Sequence, residues 1–178
     1  MIVSALKKFT VAIIGEAGVG KTSIIKRHIF GRFDAEYLST IEDFYTTLVK
    51  ADVSSLKNFN EDRWYELDIV DTAGMEEFKK VRDVAVQDKD AYIFIYSLRD
   101  PSSIFKLSEQ LSLLRSEKKN KIPMIMAGNK EDLLNHDNSF STAITEEVKQ
   151  ICCKFENNFA FDFCHCSAKY GTGIQDIF

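Results

Sequence analysis

The sequence predicts a doubly wound α/β domain, a mostly parallel sheet flanked by helices with one antiparallel edge. Three observations carry that expectation. An apolar run, Phe9-Thr10-Val11-Ala12-Ile13-Ile14, passes through a glycine-rich loop into the helical pattern Ser23-Ile24-Ile25-Lys26-Arg27-His28-Ile29-Phe30. Two more runs, Ala91-Tyr92-Ile93-Phe94-Ile95-Tyr96 and Pro123-Met124-Ile125-Met126-Ala127-Gly128, show no polar alternation, as fits strands buried on both faces. Helical periodicity separates the strand-like runs, so strands and helices alternate along the chain.

Taken in order, the glycine loop at residues 15–20 sits between the first strand and the first helix. A hairpin turn or helix C-cap fits it poorly, because the helical pattern starts after the loop. Residues 31–40 are polar and aperiodic, a loop. Residues 44–49 and 63–70 read as two strands joined by a polar connection at 54–61, which suggests an antiparallel hairpin. A helical stretch is expected near 76–87, ahead of the central strand at Ala91. Asp100-Pro101 supplies an N-cap and a first-turn proline for an amphipathic helix whose apolar face is Ile104, Leu107, Leu111 and Leu114. Thr145 is expected to cap a helix running to about Asn157, with Glu146 and Glu147 in its first turn, and residues 159–164 read as the last strand.

A chain of 178 residues, 45 % hydrophobic and 28 % charged, suits one globular domain, residues 1–178, with a sizeable buried core. The net charge of -4 offers no basic footprint for nucleic acid, and the longest apolar runs are far too short to span a bilayer. Met1-Ile2-Val3-Ser4 lacks a second-position glycine for myristoylation, and the N-terminal run is too short for a signal-peptide core, so the expected compartment is cytosolic. Cys152, Cys153, Cys164 and Cys166 form an adjacent pair and a C-x-C, not zinc-ribbon spacing, and read as reduced thiols. His28, His136 and His165 have no clustered partner ligands.

Gly15-Glu16-Ala17-Gly18-Val19-Gly20-Lys21-Thr22 fits G-x-x-x-x-G-K-[ST] in its strand–loop–helix setting. Its glycines let backbone N–H groups converge on phosphates, the helix N-terminus adds partial positive charge, and Lys21 neutralises the outer phosphates. Thr22 is then placed to ligate Mg²⁺. Val70-Asp71-Thr72-Ala73-Gly74 ends a strand with a carboxylate suited to hold that ion through water, and Gly74 frees a backbone N–H for a terminal phosphate. Gly128-Asn129-Lys130-Glu131-Asp132 follows a strand's carboxyl end, where open α/β sheets bind ligands. Asp132 offers two acceptors to paired N–H donors, which guanine has and adenine lacks. Cys166-Ser167-Ala168-Lys169 closes the set, with the Ala168 N–H expected to face the guanine oxygen.

These motifs in this order resemble the Ras superfamily of small GTPases, nearest the Ras-like subfamily, over about residues 10–173. The resemblance implies a small G-domain of the P-loop NTPase class with a six-stranded mixed sheet, a nucleotide site for GTP or GDP with Mg²⁺, and GTP hydrolysis. By it, Gly15, Ala17, Gly18, Val19, Gly20, Lys21, Thr22 and Ser23 hold the phosphates, Phe33 packs on the guanine, and Tyr37 and Thr40 belong to switch I. Thr22, Thr40 and Asp71 serve the metal, and residues 71 to about 85 form switch II. Asn129, Lys130, Asp132, Ser167, Ala168 and Lys169 frame the base, while Lys21, Thr40, Gly74 and the residue at Met75 surround the chemistry. Residues 40–45 look like the effector stretch of that subfamily, whose partners add a strand to the sheet edge. Effectors, exchange factors and GTPase-activating proteins are the partners implied.

The departures from that pattern bear on the reaction. Met75 stands where most members carry a water-orienting Gln, and a thioether is a poor hydrogen-bond partner. Ala17 puts a Cβ near the terminal phosphate, and Leu38-Ser39 replaces the usual Asp-Pro ahead of Thr40. The loops at 45–71 and 132–167 are each roughly nine residues longer than in compact members, a tolerable cost at a surface. The chain stops about a turn into the family's final helix without a C-a-a-X cysteine, so membrane attachment is expected only through a continuation beyond Phe178. Two readings result, a GTP/GDP switch with slow hydrolysis and a non-hydrolysing, GTP-bound interaction module. An ATP-using P-loop enzyme is disfavoured by Asn129-Lys130-Glu131-Asp132.

Overall fold

A computed structural model describes residues 6–36, 40–51, 63–72, 74, 85–114, 121–134 and 139–178. Six strands, β1 (Lys8–Ile14), β2 (Glu42–Ala51), β3 (Arg63–Thr72), β4 (Ala91–Ser97), β5 (Ile122–Asn129) and β6 (Phe159–His165), form one sheet in the order β2-β3-β1-β4-β5-β6. Every pairing is parallel except β2 with β3, which are antiparallel, with Phe44 opposite Val70 and Lys50 opposite Trp64. The described helices are α1 (Lys21–Phe30), α2 (Leu107–Leu113) and α3 (Ser139–Cys153), with 3₁₀ turns at Pro101–Ile104 and Glu131–Leu133. This is the doubly wound sheet with an antiparallel edge that the sequence predicts.

The unalternating strands are unalternating because the sheet has a core on each face. Ala12, Ile14, Tyr92, Phe94, Tyr96, Met124 and Met126 pack on one side with Leu107, Leu111 and Val148. Val11, Ile13, Ile69, Ile93 and Ile95 pack on the other with Ile24 and Ile25 of α1 and with Ile174 and Ile177 near the chain's end. Successive side chains of a strand point to opposite faces, so each of these strands must be apolar at every position.

The expected helix from Asp100 is broken in two. Asp100 does cap, its carboxylate accepting from the Ser102 N–H at 3.0 Å, but the turn it starts is the 3₁₀ turn Pro101–Ile104. Ser103 pins it: its hydroxyl donates to the Asp100 carbonyl at 2.5 Å and accepts from the Ser97 N–H at 3.0 Å, which ties the turn to the end of β4. The α-helical part starts at Leu107, and all four apolar positions are buried, Ile104, Leu107, Leu111 and Leu114.

Thr145 is a second correction. It lies inside α3, which begins at Ser139 and ends at Cys153. Its hydroxyl donates back to the Ser141 carbonyl at 2.9 Å, the bond that lets threonine sit mid-helix, and also meets His165 Nε2 at 3.0 Å. The buried stripe is Ser141, Ile144, Val148 and Cys152. A serine in the first core position hides the first turn of that stripe from a reading of apolar periodicity.

The expected helix near 76–87 falls mostly outside the described residues. At its described end Val86 is buried, its carbonyl accepting from the Tyr92 hydroxyl at 2.8 Å. The 54–61 connection, Tyr37, Leu38, Ser39, Ala73, Met75 and His136 also lie outside the described residues. The four cysteines are free thiols, with Cys152 and Cys166 buried, Cys164 half-buried and Cys153 exposed. No helix among the described residues is long and apolar enough to cross a membrane.

Candidate functional site

The carboxyl ends of β1, β3, β5 and β6 bring the sequence motifs to one rim of the sheet. The glycine loop leaves β1 and enters α1 through Gly20, at φ 103°, a left-handed conformation that a side chain tolerates badly. Space demands glycine there too, since a Cβ would stand 2.3 Å from Asn129 Nδ2. Lys21 opens α1 almost fully buried, and its ammonium donates to the Gly15 carbonyl at 2.9 Å and to the Glu16 carbonyl at 3.0 Å. Its head therefore lies folded over the loop whose N–H groups are expected to take phosphate. Ala17 and Gly18 are exposed at the crest of that loop and Val19 is buried in the core beneath it.

Gly74 arrives from β3 against the same loop. A Cβ on it would fall 2.6 Å from Ala17 Cα and 2.7 Å from Lys21 Nζ, so the backbone at 74 can stand this close only because it bears no side chain.

Thr22, Thr40 and Asp71, far apart in the chain, meet at the start of α1. The Thr22 hydroxyl donates to Asp71 Oδ2 at 2.5 Å and lies 2.9 Å from the Thr40 hydroxyl. Asp71 is wholly inaccessible, and its other oxygen, Oδ1, is buried with no hydrogen-bond partner. Burial pushes its carboxyl up to about 6, against the opposing pull of the Thr22 hydrogen bond and the Lys21 charge. An orphaned carboxylate oxygen beside two hydroxyls is an oxygen donor set of the kind hard divalent cations prefer, and these residues fit Mg²⁺. The next residue anchors the strand end, Thr72 donating its hydroxyl proton to the Ile13 carbonyl at 2.7 Å.

The base motifs meet at Asn129. Its amide donates to the Val19 carbonyl at 2.8 Å, and its oxygen accepts from the Ala168 N–H at 3.1 Å and faces Cys166 Sγ at 3.7 Å. One buried side chain thus ties the glycine loop to the loop after β6. The Ala168 N–H, expected to face a base oxygen, is here directed at that amide. Lys130 takes a left-handed turn at φ 66°, starting the 3₁₀ turn that carries Asp132. Asp132 Oδ1 accepts from the Ser167 hydroxyl at 2.6 Å. Phe33 is half-buried and packs beside the core that includes Ala168, while Ser23 lies in the first turn of α1. Lys169 reaches over the Tyr170 ring, 5.1 Å from its centroid.

Two links carry no motif. Arg27, on the second turn of α1, donates from Nε to the Ala168 carbonyl at 2.9 Å and from Nη2 to the Lys169 carbonyl at 2.5 Å. Gln110 of α2 donates to Glu16 Oε1 across 3.4 Å, joining the glycine loop to the neighbouring helix. A lone Arg or Gln on a helix announces nothing in sequence, since each finds its partner only once the fold is made.

The profile of the Ras family matches residues 10–178. The chain is 33 % identical to the Ras-like protein rasU of Dictyostelium discoideum over 166 residues, which cover 93 % of this chain and 70 % of that protein. It is 31 % identical to the human GTP-binding protein Rhes over 99 % of this chain and 64 % of Rhes, so it spans less than two thirds of that relative. The Ras-like protein 2 of Drosophila melanogaster is 29 % identical over 97 % of this chain and 82 % of its own length. With four ordered motifs gathered on one rim of a six-stranded mixed sheet, the chain belongs to the Ras family, whose members are small GTPases that bind guanine nucleotide, generally with Mg²⁺.

Proposed function

We propose that the chain is a GTP/GDP switch that hydrolyses GTP slowly and signals by binding effector proteins at its switch regions. The observation that supports this best is the meeting of Thr22, Thr40 and Asp71 beside Lys21, three segments assembled around one buried, unsatisfied carboxylate oxygen. In this reading the backbone N–H groups of residues 15–20 hold the phosphates, and Lys21 exchanges its two carbonyl partners for phosphate oxygens. Thr22 and Thr40, through their hydroxyl oxygens, and Asp71, through water, would hold Mg²⁺. The ion, when bound, neutralises charge that develops on the phosphate oxygens. Gly74, whose backbone stands against Ala17, offers its N–H to the terminal phosphate, which couples the position of switch II to the nucleotide's state. Asp132 accepts the paired N–H groups of guanine, with Asn129 and residues 167–169 holding the pocket's shape.

Hydrolysis needs a water in line with the bond that breaks. Met75 stands in the sequence where most family members carry the orienting side chain, and a thioether cannot hold that water, so in this reading the reaction retains phosphate neutralisation and proximity and loses orientation. A second reading, a GTP-bound interaction module that does not hydrolyse, is favoured by Met75 together with the Cβ of Ala17. The exposed edge of β2, where Phe44 is 68 % exposed, is the surface for an effector strand in both readings. Exchange factors and GTPase-activating proteins follow from the switch reading.

Purified protein loaded with GTP tests this reading by single-turnover phosphate release. Slow release that requires Mg²⁺ supports the switch, and none above the buffer rate supports the interaction module. The nucleotide identified after denaturation tests the base, and adenine there would overturn both.

A further inference from the structure

We infer that Arg27 is a positioning residue for base recognition, fixing the loop after β6 to the phosphate-binding helix so that preference for guanine over adenine depends on it. This rests on the guanine-nucleotide reading above. The loop satisfies much of itself: Gly171 N–H donates to the Ser167 carbonyl at 2.7 Å, Ser167 N–H to the Thr172 carbonyl at 3.0 Å, and Tyr170 N–H to the Ser167 hydroxyl at 3.2 Å. The Ala168 and Lys169 carbonyls take no part in those bonds, and both are met by one guanidinium. A third donor, Nη1, meets the Gly31 carbonyl at 2.6 Å, where α1 ends, so the fork is held in its own helix's cap as well.

A planar fork presents its donors in fixed directions and here meets three carbonyls, whereas a lysine's compact ammonium has donors but not that fixed geometry. The Arg27 stem lies under Gly171, whose would-be Cβ position is 3.5 Å from Arg27 Cδ and whose φ of 83° disfavours a side chain. Guanidinium and loop thus form one packed unit. On its far side the same loop is tied to the base motif, Ala168 N–H to Asn129 and Ser167 hydroxyl to Asp132. Removing Arg27 leaves the loop its packing on α1 but takes away its hydrogen bonds to that helix.

The functional consequence follows from where Arg27 sits on α1. It lies six residues beyond Lys21, about 9 Å along a helix axis. That rigid length sets the distance between the phosphate contacts and the peptide groups that face the base. Loss of the fork loosens the base end while the phosphate end, organised by Lys21, Thr22 and Asp71, keeps its own contacts.

Competition of GDP and of ADP against a fluorescent GDP, in Mg²⁺, on the parent, Arg27→Met and Arg27→Lys, tests this. ADP shares the phosphates and lacks the right base, so it reports the phosphate end alone. Arg27→Met is expected to lower GDP affinity about tenfold, the scale of one charge-assisted hydrogen bond, with ADP moved by less than about twofold. Arg27→Lys, which keeps the charge and loses the planar fork, is expected to fall between. A role only in stability would lower the thermal midpoint and weaken both nucleotides together, leaving their ratio unchanged, and that result overturns the inference. If Arg27→Met fails to fold, the GDP-to-ADP ratio of Arg27→Lys decides on the same criterion. A parent that takes ADP as readily as GDP overturns the guanine reading itself and this inference with it. A selective parent whose ratio survives in the variants overturns this inference alone.

Discussion

Replacing Asn129 by alanine separates what holds the site together from what reads the ligand. The side chain is 2 % exposed and supplies two good hydrogen bonds, to the Val19 carbonyl and from the Ala168 N–H. Deleting it leaves both backbone groups buried without partners, and a buried unsatisfied group costs about 1–3 kcal/mol. Water entering the vacated space recovers part of this, so a total of about 2–4 kcal/mol is expected. For a domain of this size that is a fall of about 4–16 °C in the melting midpoint of the nucleotide-free protein. Asp132→Ala is the control. Its one described bond, to the Ser167 hydroxyl, is only partly buried, and about 0.5–1.5 kcal/mol is at stake. GDP should reverse the ranking in one respect: ligand at concentration c stabilises the folded form by RT ln(1 + c/Kd), so Asp132→Ala should lose most of its GDP-induced rise in midpoint at GDP concentrations near or below its weakened Kd. Calorimetry or fluorescence melts with and without GDP read both quantities. An Asn129→Ala protein melting within about 1 °C of the parent would refute the argument, because no partial hydration of two buried groups brings their cost that near zero.

Three other outcomes are expected. Asp132→Asn should shift preference from guanine toward xanthine nucleotides, since the amide presents a donor where the carboxylate offers only acceptors; unchanged GDP affinity would remove Asp132 from the base site. Met75→Gln should raise single-turnover GTP hydrolysis about tenfold with little change in nucleotide affinity, and equal rates in two proteins that bind GTP equally would acquit Met75. His28 should make the fold acid-sensitive. Burial lowers its pKa below the usual 6.5, so the folded state favours the neutral ring, and the stability it carries is full above pH 6.5 and declines as pH falls below that value. Denaturant melts from pH 7.5 to 5 should therefore fall more steeply for the parent than for His28→Phe, and parallel curves would count against it.

What was legible in the sequence is what local geometry fixes. The glycine loop is encoded by φ angles that only glycine adopts readily, as at Gly20, and the central strands by apolar residues that two cores demand on both faces. Both signals lie within a few residues of the feature they specify. The misreadings share the opposite property. Thr145 looks like a cap because threonine usually is one, and its partners, Ser141 behind it and His165 on β6, appear only when α3 is laid against the sheet. Asp100 was read correctly as a cap, yet Ser103, bonded back to β4, decided that the first turn would be 3₁₀. Met75, to which the proposed slow reaction is traced, is legible only as a departure from a family's pattern.

The same contrast explains why the motifs could be named while their assembly could not. Asn129 to Val19 spans 110 residues, and Arg27 to Ala168 spans 141. Loop closure over such separations costs entropy that grows only slowly with length, so the chain can place its contacts far apart at little further penalty and leaves no periodicity to mark them. Function also favours the long-range link. A site that reads phosphates at one end and a base at the other must keep those ends a fixed distance apart, and a helix with a side chain anchored at each end does this better than a loop. α1 has that form here, with Lys21 folded over the glycine loop at its start and Arg27 on the base loop's carbonyls two turns on. Thr22 adds the third tie, to Asp71 on β3 and Thr40 ahead of β2. In the switch reading, a change at the phosphate end reaches the β2 edge through Thr40, the coupling that a nucleotide-dependent partner surface requires.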